Sequence, residues 1–102
     1  MDFLKGLFAK PPYPAQHKQE VERALQDLIQ IGKTEDFLSE RPGQNFNAQC
    51  RHVQARRIGM RLNEIGGLPL MEYIRDQVRR KLGQEIGSHL DYAWSDIGSW
   101  IP

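Results

Sequence analysis

The residues of this 102-residue chain that could do chemistry are few and dispersed. Cys50 and His52 could make a nucleophile and its base, but two helical steps point them about 200° apart, so neither serves the other without help from elsewhere in the fold. His17, His52 and His89 show no HxH or HxxxH spacing, the arrangement that brings two imidazoles onto one metal ion. A single cysteine excludes both a CxxC zinc site and an internal disulfide framework. Asp91 and Asp96 flank Trp94, and His89 lies just before them. Carboxylates beside an indole can line a site, yet a tryptophan at core spacing more often packs inside, with its N–H on a backbone carbonyl. No catalytic residue, metal ligand or cofactor is assigned on this basis.

Arginine carries the clearest pattern. Residues 1–50, 51–81 and 82–102 hold formal charges of −1, +5 and −3, so a basic middle is followed by an acidic tail. Arg51, Arg56, Arg57 and Arg61 precede a Gly-Gly turn, and Arg75, Arg79, Arg80 and Lys81 follow it. Two arginine-rich helices about a tight turn could read DNA as a helix-turn-helix, with guanidinium groups on phosphates and guanine edges. Against this, Glu72 stands three residues from Arg75, and Asp76 stands three and four from Arg79 and Arg80. The acidic tail can also fold over the basic helices, and a net charge of +1 attracts phosphate weakly at long range.

These side chains must be positioned by helices. From about Ala15 to Ile31, Val21, Ala24, Leu25, Leu28 and Ile29 repeat at helical spacing, with Gly32 placed to end the helix. Thr34 can cap a short helix carrying Phe37 and Leu38, which Pro42 and Gly43 terminate. A polar loop over about 41–47 leads to Asn47, the cap of a long helix from about Ala48 to Ile65. In it Ala55, Ile58, Leu62 and Ile65 share one side while Val53 and Met60 lie nearly opposite, which predicts a helix sandwiched between neighbours. Gly66 and Gly67 close it. Pro69 opens a helix to Leu82 carrying Leu70, Met71, Ile74 and Val78, and a last helix runs from about Gln84 to Ile97 with Ile86, Leu90, Ala93 and Trp94 aligned. No stretch alternates with period two, and the chain reads as all-α, with four to six helices in antiparallel pairs.

Both ends hold apolar groups outside this pattern. Phe3, Leu4, Leu7 and Phe8 make one face of a short helix that cannot persist alone in water, so it must dock on its own domain, a second copy, a partner or a membrane surface. The PPYP run after it is an extended, polyproline-like connector without a PPxY motif, and it divides residues 1–14 from a helical domain of residues 15–102. Trp100 and Ile101 follow Gly98 and Ser99, and either clamp back on the core or stand out as an anchor for a partner. The chain has no apolar run of membrane-spanning length, no cleavage-ready leader is expected in MDFLKGLFAK, and the single thiol suits a reducing cytoplasm.

Three helix ends are alike: Ala24, Leu28, Ile31, Gly32; then Ile58, Leu62, Ile65, Gly66; then Leu90, Trp94, Ile97, Gly98. Their glycines are spaced 34 and 32 residues apart. The stretches RALQDLIQIGKTEDFL and RRIGMRLNEIGGLPLMEYI resemble HEAT-type repeats, in which one helix ends at an Ile-Gly turn and a second doubles back. They depart from that pattern in the stunted second helix of the first pair and in the loop around Pro42. The stretch from IGMRLNEIGG through LDYAWSDIGSW also resembles small bacterial helical proteins that carry no assigned activity. The HEAT-type likeness implies a stack of helix pairs, as against an irregular bundle, and a binding scaffold.

A non-enzymatic interaction module is the expectation, its partner another protein or a second copy of itself. Arg57, Arg61, Arg75 and Arg79, with Trp100, Phe3 and Leu7, are its candidate contact residues, burying apolar anchors inside a charged rim. The alternative is a nucleic-acid-binding protein using residues 51–81. An enzyme would need a cleft in which His89, Asp91 or Cys50 converge with acids from other helices.

Overall fold

The computed structural model describes residues 12–34 and 46–100, all of whose regular structure is helical. After extended backbone at Pro14, a 3-10 turn over Ala15–His17 feeds directly into α1, Lys18–Thr34. The second helix, α2, spans Phe46–Leu82, and α3 spans Gln84–Ala93. Three α-helices among the described residues are fewer than the four to six expected. The two helices predicted over 48–65 and 69–82 are one element, interrupted at a single residue. Gly67 has φ 68° and ψ −159°, a conformation that a side chain would oppose, and the helix resumes at once with Pro69 in its first turn. We call Phe46–Gly66 and Leu68–Leu82 the first and second arms of α2. The short helix expected after Thr34, with Phe37, Leu38 and the Pro42 loop, lies outside the described residues. So do the N-terminal helix with Phe3 and Leu7, and Ile101.

Helical periodicity accounts for the core. Val21, Leu28 and Ile31 of α1 meet Ala55 and Leu62 of the first arm, Leu70, Met71, Ile74 and Val78 of the second, and Leu90, Ala93 and Trp94 of α3 in one buried cluster. Arg75 reaches Asp91 while the backbone of Gly87 lies against Arg79, so α3 runs antiparallel to the second arm. Helix α1 passes Gly32 and continues to Thr34, and Asn47 lies within α2 rather than capping it, so both predicted boundaries move by about a turn at most.

The largest departure from expectation is the end of α3. A helix to Ile97 was predicted, but it stops at Ala93, and residues 94–100 descend in successive turns stitched by Ile97 N–H to Trp94 O and Trp100 N–H to Ile97 O, at 3.1 and 3.0 Å. Asp96 is left-handed at φ 69° and Gly98 at φ 57°. The turns fold Ile97 and Trp100 inward, each 4% exposed. A side chain on Gly98 would collide with Asn63, its Cβ 2.7 Å from Asn63 Oδ1, so this glycine lets the tail lie against the first arm. The three similar Ile-Gly ends therefore differ in backbone: Gly32 and Gly66 are helical, while Gly98 is left-handed.

Pro12 and Tyr13 of the proline-rich connector are packed rather than free. The Pro12 carbonyl sits against Gly66 where a methyl group would otherwise stand. Tyr13 lies against the core and its ring faces that of Tyr73 at 6.4 Å. Burial, then the nearby Tyr73 and Glu22, raises the Tyr13 phenol above its ordinary pKa.

Candidate protein-docking groove

Along the flank of the first arm, α1 and α2 leave a groove of 260 Å³. Its floor is Ala24 of α1 with Ile58, Leu62 and Ile65 of α2, and its rim carries Glu20, Arg23 and Asp27 opposite Arg57 and Arg61. The floor arises because the apolar stripe of the first arm is wider than α1 covers. Leu62 is buried beneath the helix, whereas Ile58 and Ile65, one helical turn to either side, remain half-exposed.

The rim is partly wired. Arg61 donates Nε–H to Glu20 at 2.7 Å and a second bond at 3.1 Å, and it also reaches Glu64 at 3.2 Å. His17 stands 3.6 Å from Glu20 on the other side. Hydrogen bonding from Arg61 holds the Glu20 carboxyl below its usual pKa, and the same pairing raises that of the Arg61 guanidinium. Among the described residues, neither Arg23 nor Arg57 makes an ion pair, and both are exposed.

The other expected contact residues have different surroundings. Arg75 is bonded to Asp76 at 2.9 Å and to Asp91 at 2.8 Å, with its guanidinium 5.3 Å from the centre of the Trp100 ring. Burial works against its charged form, but the bond it donates to Asp76 and the attraction of Asp91 outweigh it and raise its pKa. Arg79 bonds Asp76 at 3.1 Å. Trp100 is the clamp of the two alternatives: its Nε1–H donates to Asp91 O at 3.0 Å, and its ring meets Trp94 edge-on at 5.2 Å. The groove thus brings Arg57 and Arg61 together, while Arg75, Arg79 and Trp100 belong to the seam between the second arm, α3 and the tail. Phe3 and Leu7 lie outside the described residues.

Arg56 has a role that its place in the basic run does not signal. Its Nη1 donates to Ala93 O at 2.8 Å and Ser95 O at 2.9 Å, capping the end of α3 from another helix. No local spacing signals a contact between residues so far apart. The sandwich predicted for the first arm is likewise one-sided in the described residues, for Val53 and Met60 remain 44% exposed.

The Cys50 side chain lies outside the described ones, and among the described residues the other groups considered for catalysis have separate surroundings. Asp91 is committed to Arg75, and Trp94 is fully buried with its Nε1–H on Ala55 O at 3.0 Å. A second hollow of 370 Å³ is lined by His52, Arg56, Tyr92, Ser95 and Asp96, but Arg56 is occupied by the α3 carbonyls and the Ser95 hydroxyl by Tyr92 O. Among the described residues no three of His, Cys, Asp and Glu gather as a metal site. Nor is any helix among them long and apolar enough to cross a membrane. No family model, curated protein or solved structure matches the chain.

Proposed function

We propose that the chain is a non-enzymatic protein-interaction module that receives an amphipathic helix of another protein in the groove between α1 and the first arm. One observation carries this reading: an apolar floor of Ala24, Ile58, Leu62 and Ile65 is bordered by the guanidinium groups of Arg23 and Arg57, which make no ion pair among the described residues. Helix-in-groove recognition uses this combination, with apolar residues at i, i+3 or i+4, and i+7 seated in the floor and charge at the rim setting register. The partner's helix would carry carboxylates flanking its apolar stripe, to meet Arg23 and Arg57. The likeness of the helix ends to HEAT-type repeats, whose stacked helix pairs serve as scaffolds, points the same way. A reducing compartment such as the cytoplasm suits the single cysteine.

Nucleic acid draws less support. Arg56, Arg61, Arg75 and Arg79 of the basic segment are bonded to carbonyls or carboxylates, which leaves few guanidinium groups to exchange for phosphate counterions.

The test is a selection of helix-forming peptides against the intact chain. Binders should share an apolar i, i+3/i+4, i+7 stripe with flanking acids and lose tenfold or more affinity for Ile58→Glu. Binders without that stripe, or indifferent to Ile58→Glu, would overturn the reading. Loss of nucleic-acid binding over a salt titration, with no peptide selected, would favour the alternative.

A further inference from the structure

One residue divides the core. Val21, Leu28 and Leu62 precede Gly67 in the chain while Ile74, Leu90 and Trp94 follow it, and both sets meet in the same buried cluster. Bonds cross the division as well, for Arg56 donates to Ala93 O and Ser95 O, and Trp94 to Ala55 O. Within α2 the one non-helical residue is Gly67, at φ 68° and ψ −159°. Turned to helical angles, it would make α2 a single straight rod, and the second arm, α3 and the tail would no longer reach their own first arm. They would reach that of a second copy, remaking the same contacts between chains. A short hinge between two halves of one core is the circumstance in which proteins exchange such halves.

Two residues favour the bend. Gly67 adopts a positive φ that a side chain would resist. The space around it is open, since a Cβ there would meet nothing nearer than Pro69 Cδ at 3.8 Å, so its part is one of backbone angle alone. Pro69 stands in the first turn of the second arm, where no N–H is required of it. In a straight α2 it would lie in the helix interior, without a bond to the Ile65 carbonyl and with its ring pressed on that oxygen.

We propose that Gly67 and Pro69 keep the chain in its bent, self-contained form against an exchanged dimer. In that dimer α2 is straight, and the second arm, α3 and tail of each copy pack on α1 and the first arm of the other. The residues of the docking groove, from Glu20 to Ile65, all precede the elbow. Exchange therefore leaves each groove whole, and the dimer presents two of them to a partner carrying two helices. That gain in avidity rests on the docking reading, whereas the dimer itself does not.

Light scattering after gel filtration tests the device without any partner. The native chain and Gly67→Ala/Pro69→Ala are unfolded in urea and refolded at high protein concentration. The native chain should return with the mass of one copy. The double variant should return with a dimer fraction at least tenfold greater, at unchanged helical circular dichroism, because both obstacles to a straight α2 are gone. Its dimer should persist on dilution and separate only where the chain unfolds, since exchanged halves are released no other way. A double variant that stays monomeric would overturn the proposal, and so would a dimer that falls apart on dilution with its helices intact, or a native chain that returns as a persistent dimer. Should the double variant not fold, Pro69→Ala alone keeps Gly67 free to bend, and a dimer fraction no greater than that of the native chain would count against the device. The peptide selection reads the groove separately, so either conclusion can fail alone.

Discussion

Trp94 lies so close on Gly59 that a methyl group there would stand 2.6 Å from the indole nitrogen and 2.7 Å from Cδ1. The indole is fully buried and its N–H is committed to Ala55 O, so it has nowhere to retreat. Alanine is the better helix former by about 1 kcal/mol, but overpacking of this kind costs about 1–3 kcal/mol. Gly59→Ala should therefore lower stability despite its higher propensity. Urea unfolding followed by circular dichroism measures this, and a stabilised variant would show that the indole has room.

Neighbouring arginines should differ sharply. Arg56→Ala strips the carbonyls of Ala93 and Ser95 of a charged donor and should cost about 2–3 kcal/mol, with faster amide exchange at Ile97 and Trp100. Arg57→Ala, at an exposed position without an ion pair among the described residues, should stay within about 0.5 kcal/mol in stability while weakening peptide binding. Equal thermal shifts for the two would contradict the capping role of Arg56.

Trp100→Ala should behave as a core mutation, costing about 3–5 kcal/mol, because it removes a buried ring packed on Trp94 and under Arg75. Trp100→Phe, which keeps an aromatic ring but loses the bond to Asp91 O and part of the buried indole volume, should cost less, about 2 kcal/mol. A Trp100→Ala chain of undiminished stability that had lost partner binding would restore the anchor role instead.

Acid should loosen the start of α1. Since Arg61 depresses the folded pKa of Glu20, this carboxylate favours folding above its ordinary value of 4.5, and the contribution is lost as pH falls through the lower folded value. The stabilisation of the native chain over Glu20→Gln, read as a difference in melting temperature, should shrink as pH falls below about 5. A difference unchanged at pH 3 would show that the Arg61 bond does not act through the charge of Glu20.

What could be read before the structure was local in origin. Val21 and Leu28, Ile74 and Val78, and Leu90 and Trp94 announce buried helix faces because a helix repeats within a few residues, and each pair is buried. The Asp76–Arg79 pair follows from the same spacing, and the acidic tail does meet a basic helix at Asp91 and Arg75. Features set by distant partners were not legible. Arg75 takes Asp76 and Asp91 rather than Glu72, Arg61 finds Glu20 across a helix interface, and Arg56 ends α3 four residues before the apolar stripe does. The groove lies between these cases: Ile58, Leu62 and Ile65 are visible as a stripe, but only the packing of α1 decides which of them stays uncovered.

The bend at Gly67 has a consequence for how the molecule reaches its shape. Its elbow is clasped by Pro12, and all of α1 lies between clasp and elbow along the chain. Coiling of the two arms needs only near neighbours, whereas the contact that clasps their elbow joins residues far apart along the chain and carries the larger loop-closure entropy.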